Sequence, residues 1–268
     1  MAVVVSCVNL KGGVGKTTLA VNMAAYFGRL GKKTLLIDLD PQTNATFSCI
    51  DVESWEEHST TKGTVADLLG ARQHTTANAR HKTVEQVIYE GVFPNVDLVP
   101  SHLDLFTIDL DMAGVIAREL KLRRALQSVE ENYDLIVCDC PPNLTIPTQN
   151  ALAASKFYLV PISADFLSAL GVGILLNRIE ALSDDLDQPL EQAGIVISRV
   201  GRPAHHRDEI VRELRARFAG AVLTPILNER VQVAHAAAKQ QSVFESNDAI
   251  AIGEFEAVYE DISRRIGV

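Results

Sequence analysis

The chain has 268 residues, of which 47% are apolar and 22% charged, and its formal net charge at pH 7 is −9. This composition is that of an ordinary globular protein, and the length allows one large α/β domain over residues 1–268. No run of about 18 apolar residues occurs and the N-terminus leads directly into a strand, so we expect neither a transmembrane span nor a signal peptide.

The first predicted element is a strand that leads through a glycine-rich loop into a helix. Val3, Val4 and Val5 are β-branched and unbroken, which is typical of a strand buried on both faces of a parallel sheet. The next residues match a phosphate-binding loop in which the first glycine is replaced. We take them as the nucleotide-binding candidates: Lys11, Gly12, Gly13, Val14, Gly15, Lys16, Thr17 and Thr18. A glycine-rich connector is the alternative.

The glycines of this loop allow backbone N–H groups to converge on phosphate oxygens, and a helix that begins near Lys16 directs its positive end at them. We expect Lys16 on the β and γ phosphates and the Thr17 hydroxyl on Mg²⁺. The run KGGVGKTT resembles the loop of the ParA/MinD family of deviant Walker A ATPases. The resemblance implies ATP and Mg²⁺ as cofactors. It also implies a homodimer in which Lys11 contacts phosphates bound by the other subunit.

A second buried strand, within residues 33–42, ends in acidic residues. Its sequence LLIDLDPQ resembles the second signature of the family. The resemblance places Asp40 beside the γ-phosphate, where it supports the attacking water. Lys11, Lys16 and Asp40 are therefore the catalytic candidates, and we interpret Asp38 as a structural group. A simple Asp-Pro turn is the alternative for Asp40.

The middle of the chain is less regular. Residues 43–95 are polar and lack a firm period, apart from a short helix that starts near Thr64, and we interpret SWEEHSTTKG as a surface excursion suited to partner choice or as a variable loop. A short strand is predicted over 95–100 and one long helix over about 105–131, whose arginines form a solvated face.

The third nucleotide signature is YDLIVCDCPP, residues 133–142. The apolar residues before Asp139 predict a strand that ends at this acid. We expect Asp139 beside the magnesium ion, because a hard cation prefers carboxylate and water oxygens. The candidate metal ligands are Thr17, Asp40 and Asp139. Asn143 stands where the family commonly has serine. We interpret the four cysteines, at positions 7, 49, 138 and 140, as buried thiols, with a cluster ligand as the alternative.

The rest of the chain continues the alternation of strands and helices. We predict strands over 157–161, 194–198 and 221–224, a helix over 167–182 opened by a bend at Gly171–Gly173, a helix over 203–218, a helix through Lys239, and a terminal helix from about Asp248. This order predicts an α/β fold with a mostly parallel twisted sheet, helices on both faces, and nucleotide at the carboxyl ends of the strands.

Arginines are concentrated near the C-terminal third, although the net charge of the chain argues against nucleic acid. Residues 199–217 contain six arginines and three acids. Ile210, Val211, Leu214 and Phe218 predict a core stripe that leaves the arginines of this helix outside. The candidates for DNA contact are Arg207, Arg212 and Arg215 and, by the family resemblance, Arg230 and as a looser match Arg202. A merely solvated arginine-rich helix is the alternative.

The resemblance is to ParA-type (Soj-like) partition ATPases that lack an N-terminal DNA-binding module. It implies a dimer that binds DNA non-specifically in the ATP state and segregates or positions a plasmid, chromosome or protein cargo. It also implies hydrolysis stimulated by a ParB-like or other adaptor protein, and a cytoplasmic, nucleoid-associated location without membrane contact.

The sequence leaves two alternative functions. A MinD-like membrane-associated ATPase requires a basic amphipathic C-terminal helix, but residues 254–268 carry four acids and two arginines. We therefore expect the stripe Phe255, Val258, Ile262 and Ile266 to pack on the core. A metabolic P-loop enzyme needs a substrate pocket or exposed cysteines, and the sequence indicates neither clearly.

Overall fold

The computed structural model describes residues 1–71, 82–201 and 205–268. Within these ranges, it describes only the backbone at 166–170 and 205–207. The strands are β1 (Val3–Cys7), β2 (Thr34–Asp38), β3 (Tyr89–Phe93), β4 (Val96–Val99), β5 (Leu135–Asp139), β6 (Phe157–Ser163) and β7 (Glu191–Ser198). They form one seven-stranded sheet in the order β3-β4-β2-β5-β1-β6-β7. β3 pairs antiparallel with β4, and the other neighbours are parallel. The predicted mostly parallel sheet is confirmed.

Helices follow most of the parallel strands. They are α1 (Lys16–Arg29), α2 (Asn44–Phe47), α3 (Val52–Thr61), α4 (Val65–Leu69), α5 (Val84–Val87), α6 (Ile108–Asp111), α7 (Lys121–Leu126), α8 (Ile146–Ala154), α9 (Phe166–Asp185), α10 (His205–Arg217), α11 (Val231–Ala237) and α12 (Ala249–Ile266). Short 3₁₀ helices span Leu103–Phe106, Arg118–Leu120, Glu130–Asn132 and Val243–Glu245.

The sheet separates two hydrophobic cores, because successive side chains of each strand point to opposite faces. In β5, Val137 packs in the core that includes α1 and α12, whereas Ile136 packs in the core that includes α4, α7, α8 and α9. All five residues of β2 and of β5 are buried. Both faces of the central strands are therefore covered, as the sequence predicted.

The C-terminal helix α12 lies against the core of the protein itself. Its apolar stripe, Phe255, Val258, Ile262 and Ile266, is buried, and the Tyr259 hydroxyl donates a hydrogen bond of 2.9 Å to the carbonyl oxygen of Leu19 in α1. The predicted docking of this stripe is confirmed. Within the described part of the chain, no helix combines the length and apolar composition that crossing a bilayer requires.

The predicted long helix over 105–131 is wrong. This stretch is broken into α6, α7 and three 3₁₀ turns. Ala117 has a left-handed backbone with φ of 53°, which a continuous helix cannot contain. Leu122 and Leu126 of α7 are buried, so the apolar spacing does predict the buried side of that shorter span.

Other elements differ from expectation for local reasons. The stretch predicted as a surface excursion or loop contains α3. This helix was missed because only Ser59 in it is buried, so its sequence has no apolar period. β3 is an edge strand in which only Phe93 is buried, and α8 was not predicted. The expected strand over 221–224 is reduced to a single bridge between Val222 and Ile195. α9 continues through the expected bend at Gly171–Gly173, whereas α4 is capped by Thr64 as predicted.

Candidate functional site

The loop between β1 and α1 has the backbone of an anion-binding turn. Gly13 and Gly15 have φ of 73° and 87°, in the left-handed region that favours glycine. Gly15 is the N-cap of α1, and no side chain caps this helix. The first N–H groups of the 14-residue helix α1 are thus presented to the loop, where the helix dipole favours a negative ligand.

Residues from distant parts of the chain hold the loop in place. The Asn9 side chain accepts a hydrogen bond of 2.9 Å from the Lys11 N–H and donates one of 2.7 Å to the Pro161 carbonyl oxygen. From the end of β7, the Ser198 hydroxyl donates to the carbonyl oxygen of Val14. The Arg199 guanidinium donates to the carbonyl oxygen of Gly13 at 2.8 Å. Sequence analysis connected neither Ser198 nor Arg199 with the loop and counted Arg199 only in the arginine-rich stretch 199–217, since nothing in the local pattern relates these residues to positions some 185 residues away.

Asp38 organises the turn that follows β2. Its fully buried carboxylate accepts hydrogen bonds from the Thr46 N–H at 2.8 Å, the Thr46 hydroxyl at 2.7 Å and the Asp40 N–H at 3.1 Å. Burial raises the pKa of Asp38 to about 7, although these hydrogen bonds oppose the increase. These contacts support the structural interpretation of Asp38.

Asp40 is held from two sides at the edge of the nucleotide cavity. Its carboxylate accepts from the Gln42 N–H at 2.9 Å, and its carbonyl oxygen accepts from the Ser101 hydroxyl at 2.7 Å. The side chain therefore has a defined position beside the glycine loop. Ser101 was missed by sequence analysis, because a serine after an apolar strand carries no specific signal.

Asp139, at the end of β5, is a fully buried carboxylate. Among the described residues, neither of its oxygens has a partner at hydrogen-bond geometry, although the Thr17 hydroxyl is near enough to lower the pKa of the carboxyl. Burial raises its pKa well above the usual range, Asp38 raises it further, and Thr17 and Lys16 oppose the increase. A cation of high charge density is the group that such a carboxylate fits, because it compensates for the hydration removed by burial.

Lys16 faces this acidic cluster from the glycine loop. It is 6% exposed, and its Nζ donates a hydrogen bond of 3.2 Å to the Lys11 carbonyl oxygen. Burial lowers the pKa of Lys16, whereas Asp139 and Asp40 raise it. The ammonium group is thus available for an anion that enters the loop.

Seven of the predicted residues line one cavity of about 420 Å³, namely Gly12, Gly13, Gly15, Lys16, Thr17, Thr18 and Asp40. Gln42, Asn44, Ser48, Pro142 and Arg199 complete its lining, whereas Lys11, Val14 and Asp139 are not among its described lining residues. Within the described residues, no group of three His, Cys, Asp or Glu side chains is arranged to hold a metal by itself. Mg²⁺ does not need one, because it usually combines one or two protein ligands with phosphate and water oxygens. Thr17, Asp40 and Asp139 together with a polyphosphate therefore fit this ion.

A second cavity, of about 430 Å³, adjoins the first and shares Gly15, Thr18 and Arg199 with it. Its wall includes apolar side chains of Leu227, Val233 and Phe255. Together, the two cavities offer a polar chamber at the helix N-terminus and a more apolar chamber beside it. This is the division that a phosphate chain and an attached aromatic base require.

Lys11 has a different environment from Lys16. Its Nζ forms an ion pair of 2.7 Å with Asp165, and the two side chains are 44% and 38% exposed. Lys11 is also absent from the described residues that line the cavity of its own chain.

The four cysteines are buried free thiols, as predicted. Burial raises the pKa of each of them, for Cys138 to about 12. Thiolates are the ligands of iron–sulfur clusters, so these neutral, inaccessible thiols do not support the alternative of a cluster site.

The candidate DNA-binding arginines lie in different surroundings. Arg212 and Arg215 are exposed on α10, whose Leu214 packs in the core. Arg230 forms an ion pair of 2.7 Å with Glu254 and lies 3.7 Å from Asp248. Arg202 is outside the described residues, and for Arg207 only the backbone in α10 is described. The DNA-binding role of all five stays a prediction.

A parallel sheet with a glycine loop after its first strand, and acids at the ends of β2 and β5, defines the class of P-loop nucleotide-binding ATPases. Comparisons with known proteins agree. A family model described as an AAA domain (AAA_31) matches residues 2–192. The chromosome-partitioning ATPase Soj of Treponema pallidum is 31% identical over 97% of this chain and 94% of its own.

Solved structures show the same fold. A putative plasmid partition protein from Borrelia burgdorferi bound to AMPPNP superposes with a TM-score of 0.79 at 21% identity, covering 99% of this chain and 100% of the other. Cobyrinic acid a,c-diamide synthase from Mycobacterium smegmatis, with an ATP analogue and magnesium, gives a TM-score of 0.75 at 26% identity, covering 90% and 92%. The chain belongs to the ParA/Soj-type family of P-loop ATPases.

Proposed function

We propose that this protein is an ATP-hydrolysing partition ATPase whose ATP-bound homodimer binds DNA without sequence preference and segregates or positions a cargo. A ParB-like or other adaptor protein stimulates hydrolysis, and the protein acts in the cytoplasm on the nucleoid. The environment of Lys11 carries the proposal. This lysine lies at the front of the loop, outside the cavity of its own chain and held by Asp165, where it can contact phosphates bound by a second copy.

The residues of the cavity divide the work of phosphoryl transfer. The N-terminus of α1 and the ammonium groups of Lys16 and the partner subunit's Lys11 neutralise the phosphate oxygens. Asp40, fixed by Gln42 and Ser101, orients the attacking water. Thr17, Asp139 and Asp40 would hold Mg²⁺, which would supply further charge neutralisation. The base occupies the adjoining cavity, near Phe255 and Leu227.

Dimerisation and DNA binding follow from the shared site. ATP binds the dimer better than the monomer and shifts the population toward it. The dimer carries two copies of α10, so that exposed arginines such as Arg212 and Arg215 are doubled. Contacts of this kind with phosphates need no base recognition and give affinity that falls steeply with salt.

The decisive experiment measures binding of Asp40→Ala to random-sequence duplex DNA with ATP, with ADP and without nucleotide, over a salt series. We expect binding with ATP only, because the variant retains ATP and accumulates the dimer. Lys16→Ala, which removes an ammonium group from the phosphate site, should bind no DNA in any state. Absence of DNA binding by Asp40→Ala in every state would refute the proposal and direct attention to membranes or a small-molecule substrate.

A charge-matched comparison tests the surface. The slope of log K against log salt is negative for contacts with phosphates. In the double variant Arg212→Ala with Arg215→Ala it should become less negative by about 0.9 for each DNA phosphate that is no longer neutralised. Arg264→Ala with Lys33→Ala is the control, because it removes the same two charges at exposed positions, Arg264 near the C-terminal end of α12 (71% exposed) and Lys33 before β2. Equal slopes for the double variant and the control would remove α10 from the DNA interface.

A further inference from the structure

Two loops contribute to the wall of the second cavity, the more apolar chamber beside the glycine loop. One loop follows β7 and the other precedes α11. The Val200 N–H donates to the Leu227 carbonyl oxygen at 3.1 Å, and the Glu229 N–H donates to the Val200 carbonyl oxygen at 2.9 Å. The two loops are therefore fixed to each other through their backbones, and Glu229 has a defined place on the cavity wall.

An ion pair joins the side chains of Arg199 and Glu229 across these loops. The Arg199 guanidinium donates to Glu229 Oε1 and to the Gly13 carbonyl oxygen, both at 2.8 Å. Arg199 has φ of 51°, a left-handed backbone that is unfavourable for a residue other than glycine and is found preferentially at functional sites. Arg199 lines both cavities, whereas Glu229 lines only the second. From the phosphate chamber outward, the order is therefore the glycine loop, Arg199 and Glu229.

Glu229 is the one acidic side chain among the described residues that line the second cavity. Two neighbouring polar groups are already committed, because the Asn228 amide and the Arg230 guanidinium each donate to Glu254 at 2.7 Å. Glu229 Oε1 is held by Arg199, but Oε2 accepts no hydrogen bond from any described residue. Glu229 thus offers an uncommitted acceptor to a molecule in this cavity.

The charge of Glu229 limits which part of a nucleotide it can contact. A free carboxylate would repel phosphates in the neighbouring chamber, and the Arg199 guanidinium offsets this repulsion. A carboxylate can only accept hydrogen bonds. The adenine base has one donor group, the exocyclic 6-amino group. This amino group is hence the part of the base that Glu229 Oε2 can bind.

We infer that Glu229 recognises the adenine base by accepting a hydrogen bond from its 6-amino group, while Arg199 holds the carboxylate in place. The inference rests on the proposed function, which places the base in this cavity, and it names the residue that reads the base. The ribose hydroxyls are poorer partners for Glu229. The sugar lies between the phosphates and the base, at the junction of the two cavities that Arg199 lines.

A double-mutant cycle between protein and ligand tests this contact. The ligands are ADP and purine riboside 5′-diphosphate, which lacks only the 6-amino group, and calorimetric titration measures the affinity of each. Diphosphates exclude contributions from hydrolysis and from the ATP-dependent dimer. The ratio of the two affinities should be about tenfold higher for the wild type than for Glu229→Ala. This is the low end of the range for a hydrogen bond to a charged group, because the Glu229 side chain is 54% exposed.

Three further variants identify the cause of the change. Glu229→Asp keeps the charge but shortens the side chain, so it should lose most of the preference for ADP. Arg199→Ala should weaken binding of both ligands and lower the ratio, because it releases the carboxylate. Glu180→Ala should keep the wild-type ratio, because Glu180 is an exposed residue of α9, which packs on the other side of the sheet from Phe255.

A third ligand separates the base from the sugar. The affinity of 2′-deoxy-ADP relative to ADP should be the same in the wild type and in Glu229→Ala. A change in this ratio alone would place Glu229 at the ribose and overturn the inference.

Two other results would also overturn it, namely equal ratios of ADP to purine riboside diphosphate in the wild type and Glu229→Ala, or a wild-type ratio in Glu229→Asp. The same titrations separate this inference from the proposed function. A wild type that binds ADP with a ratio unaffected by Glu229 contradicts the assignment of Glu229 alone. A wild type that binds neither diphosphate contradicts the nucleotide site on which the proposed function depends.

Discussion

Removing the charge of Asp139 should stabilise the protein without ligands and abolish its response to Mg²⁺–ATP. In Asp139→Asn, the buried carboxylate that lacks a partner among the described residues is replaced by a neutral amide of the same size. An unpaired buried polar group costs about 1–3 kcal/mol, and more when it is charged. The amide is also unpaired, so the variant recovers only the difference between a charged and a neutral group, and it should gain about 1–3 kcal/mol at neutral pH.

The melting temperature converts this gain into a measurable shift. With 268 residues, the entropy of unfolding is about 0.6 kcal/mol per kelvin, so the expected increase in Tm is about 2–5 °C. The pH dependence has a defined sign. The folded pKa of Asp139 is raised, so the wild type loses stability relative to the variant as the pH rises from about 4 toward that pKa. The difference between the two proteins should disappear near pH 4.

Calorimetry of both proteins with and without Mg²⁺–ATP is the assay. At a nucleotide concentration of about 100 times Kd, the wild type should gain about 2.7 kcal/mol, and Asp139→Asn much less. Asp184→Asn, at an exposed aspartate of α9, controls for the change in net charge. A variant that is less stable than the wild type at pH 7, or equal stabilisation of both proteins by Mg²⁺–ATP, would refute the assignment of Asp139 to the metal site.

Two further predictions concern packing and the dimer. Gly28→Ala should lower Tm by several degrees, because an added Cβ would lie 2.3 Å from the Pro94 carbonyl oxygen. Gly253→Ala in α12 is the control. Its added Cβ meets nothing within 4 Å, so Tm should stay unchanged or rise slightly. Asp165→Asn should strengthen ATP-dependent dimerisation in sedimentation experiments, since it releases Lys11 from an exposed ion pair worth about 0–1 kcal/mol, equivalent to fivefold at most. Weaker dimerisation of this variant would contradict the proposed role of Lys11.

The nucleotide site was predictable from sequence because its elements are local. The glycine spacing needs only a few consecutive residues, and the acids of LLIDLDPQ and YDLIVCDCPP follow apolar runs that can only be buried strands. Parallel strands with their carboxyl ends at one edge then bring Asp40 and Asp139 to the loop. The order of β2, β5 and β1 in the sheet is the arrangement that this reasoning requires.

The supports of the site were not predictable, because they depend on contacts between residues far apart in the chain. Ser101 and Arg199 are identified only when the folded chain places them against Asp40 and Gly13. The wrong helix over 105–131 has the same origin. Its apolar residues fit a helical period in part. However, the left-handed backbone at Ala117 interrupts the helix, and Leu110 and Ile116 are exposed instead of buried. Local periodicity predicts burial poorly in a segment that has apolar side chains both in the core and on the solvent side.

The same hydrogen bonds connect the nucleotide cavity with the segment that follows β4. Without ligands, Asp38 and Asp139 are buried together with raised pKa values, so the site is electrostatically unfavourable until cations enter. A cation that enters the site relieves that repulsion where the turns that carry Asp40 and Asp139 meet. Two hydrogen bonds tie the segment after β4 to those turns, one from the Ser101 hydroxyl to the Asp40 carbonyl oxygen and one from the Ile146 N–H to the Asp109 carboxylate. By reciprocity, any ligand that changes the affinity of these turns for nucleotide must have its own affinity changed by nucleotide by the same factor.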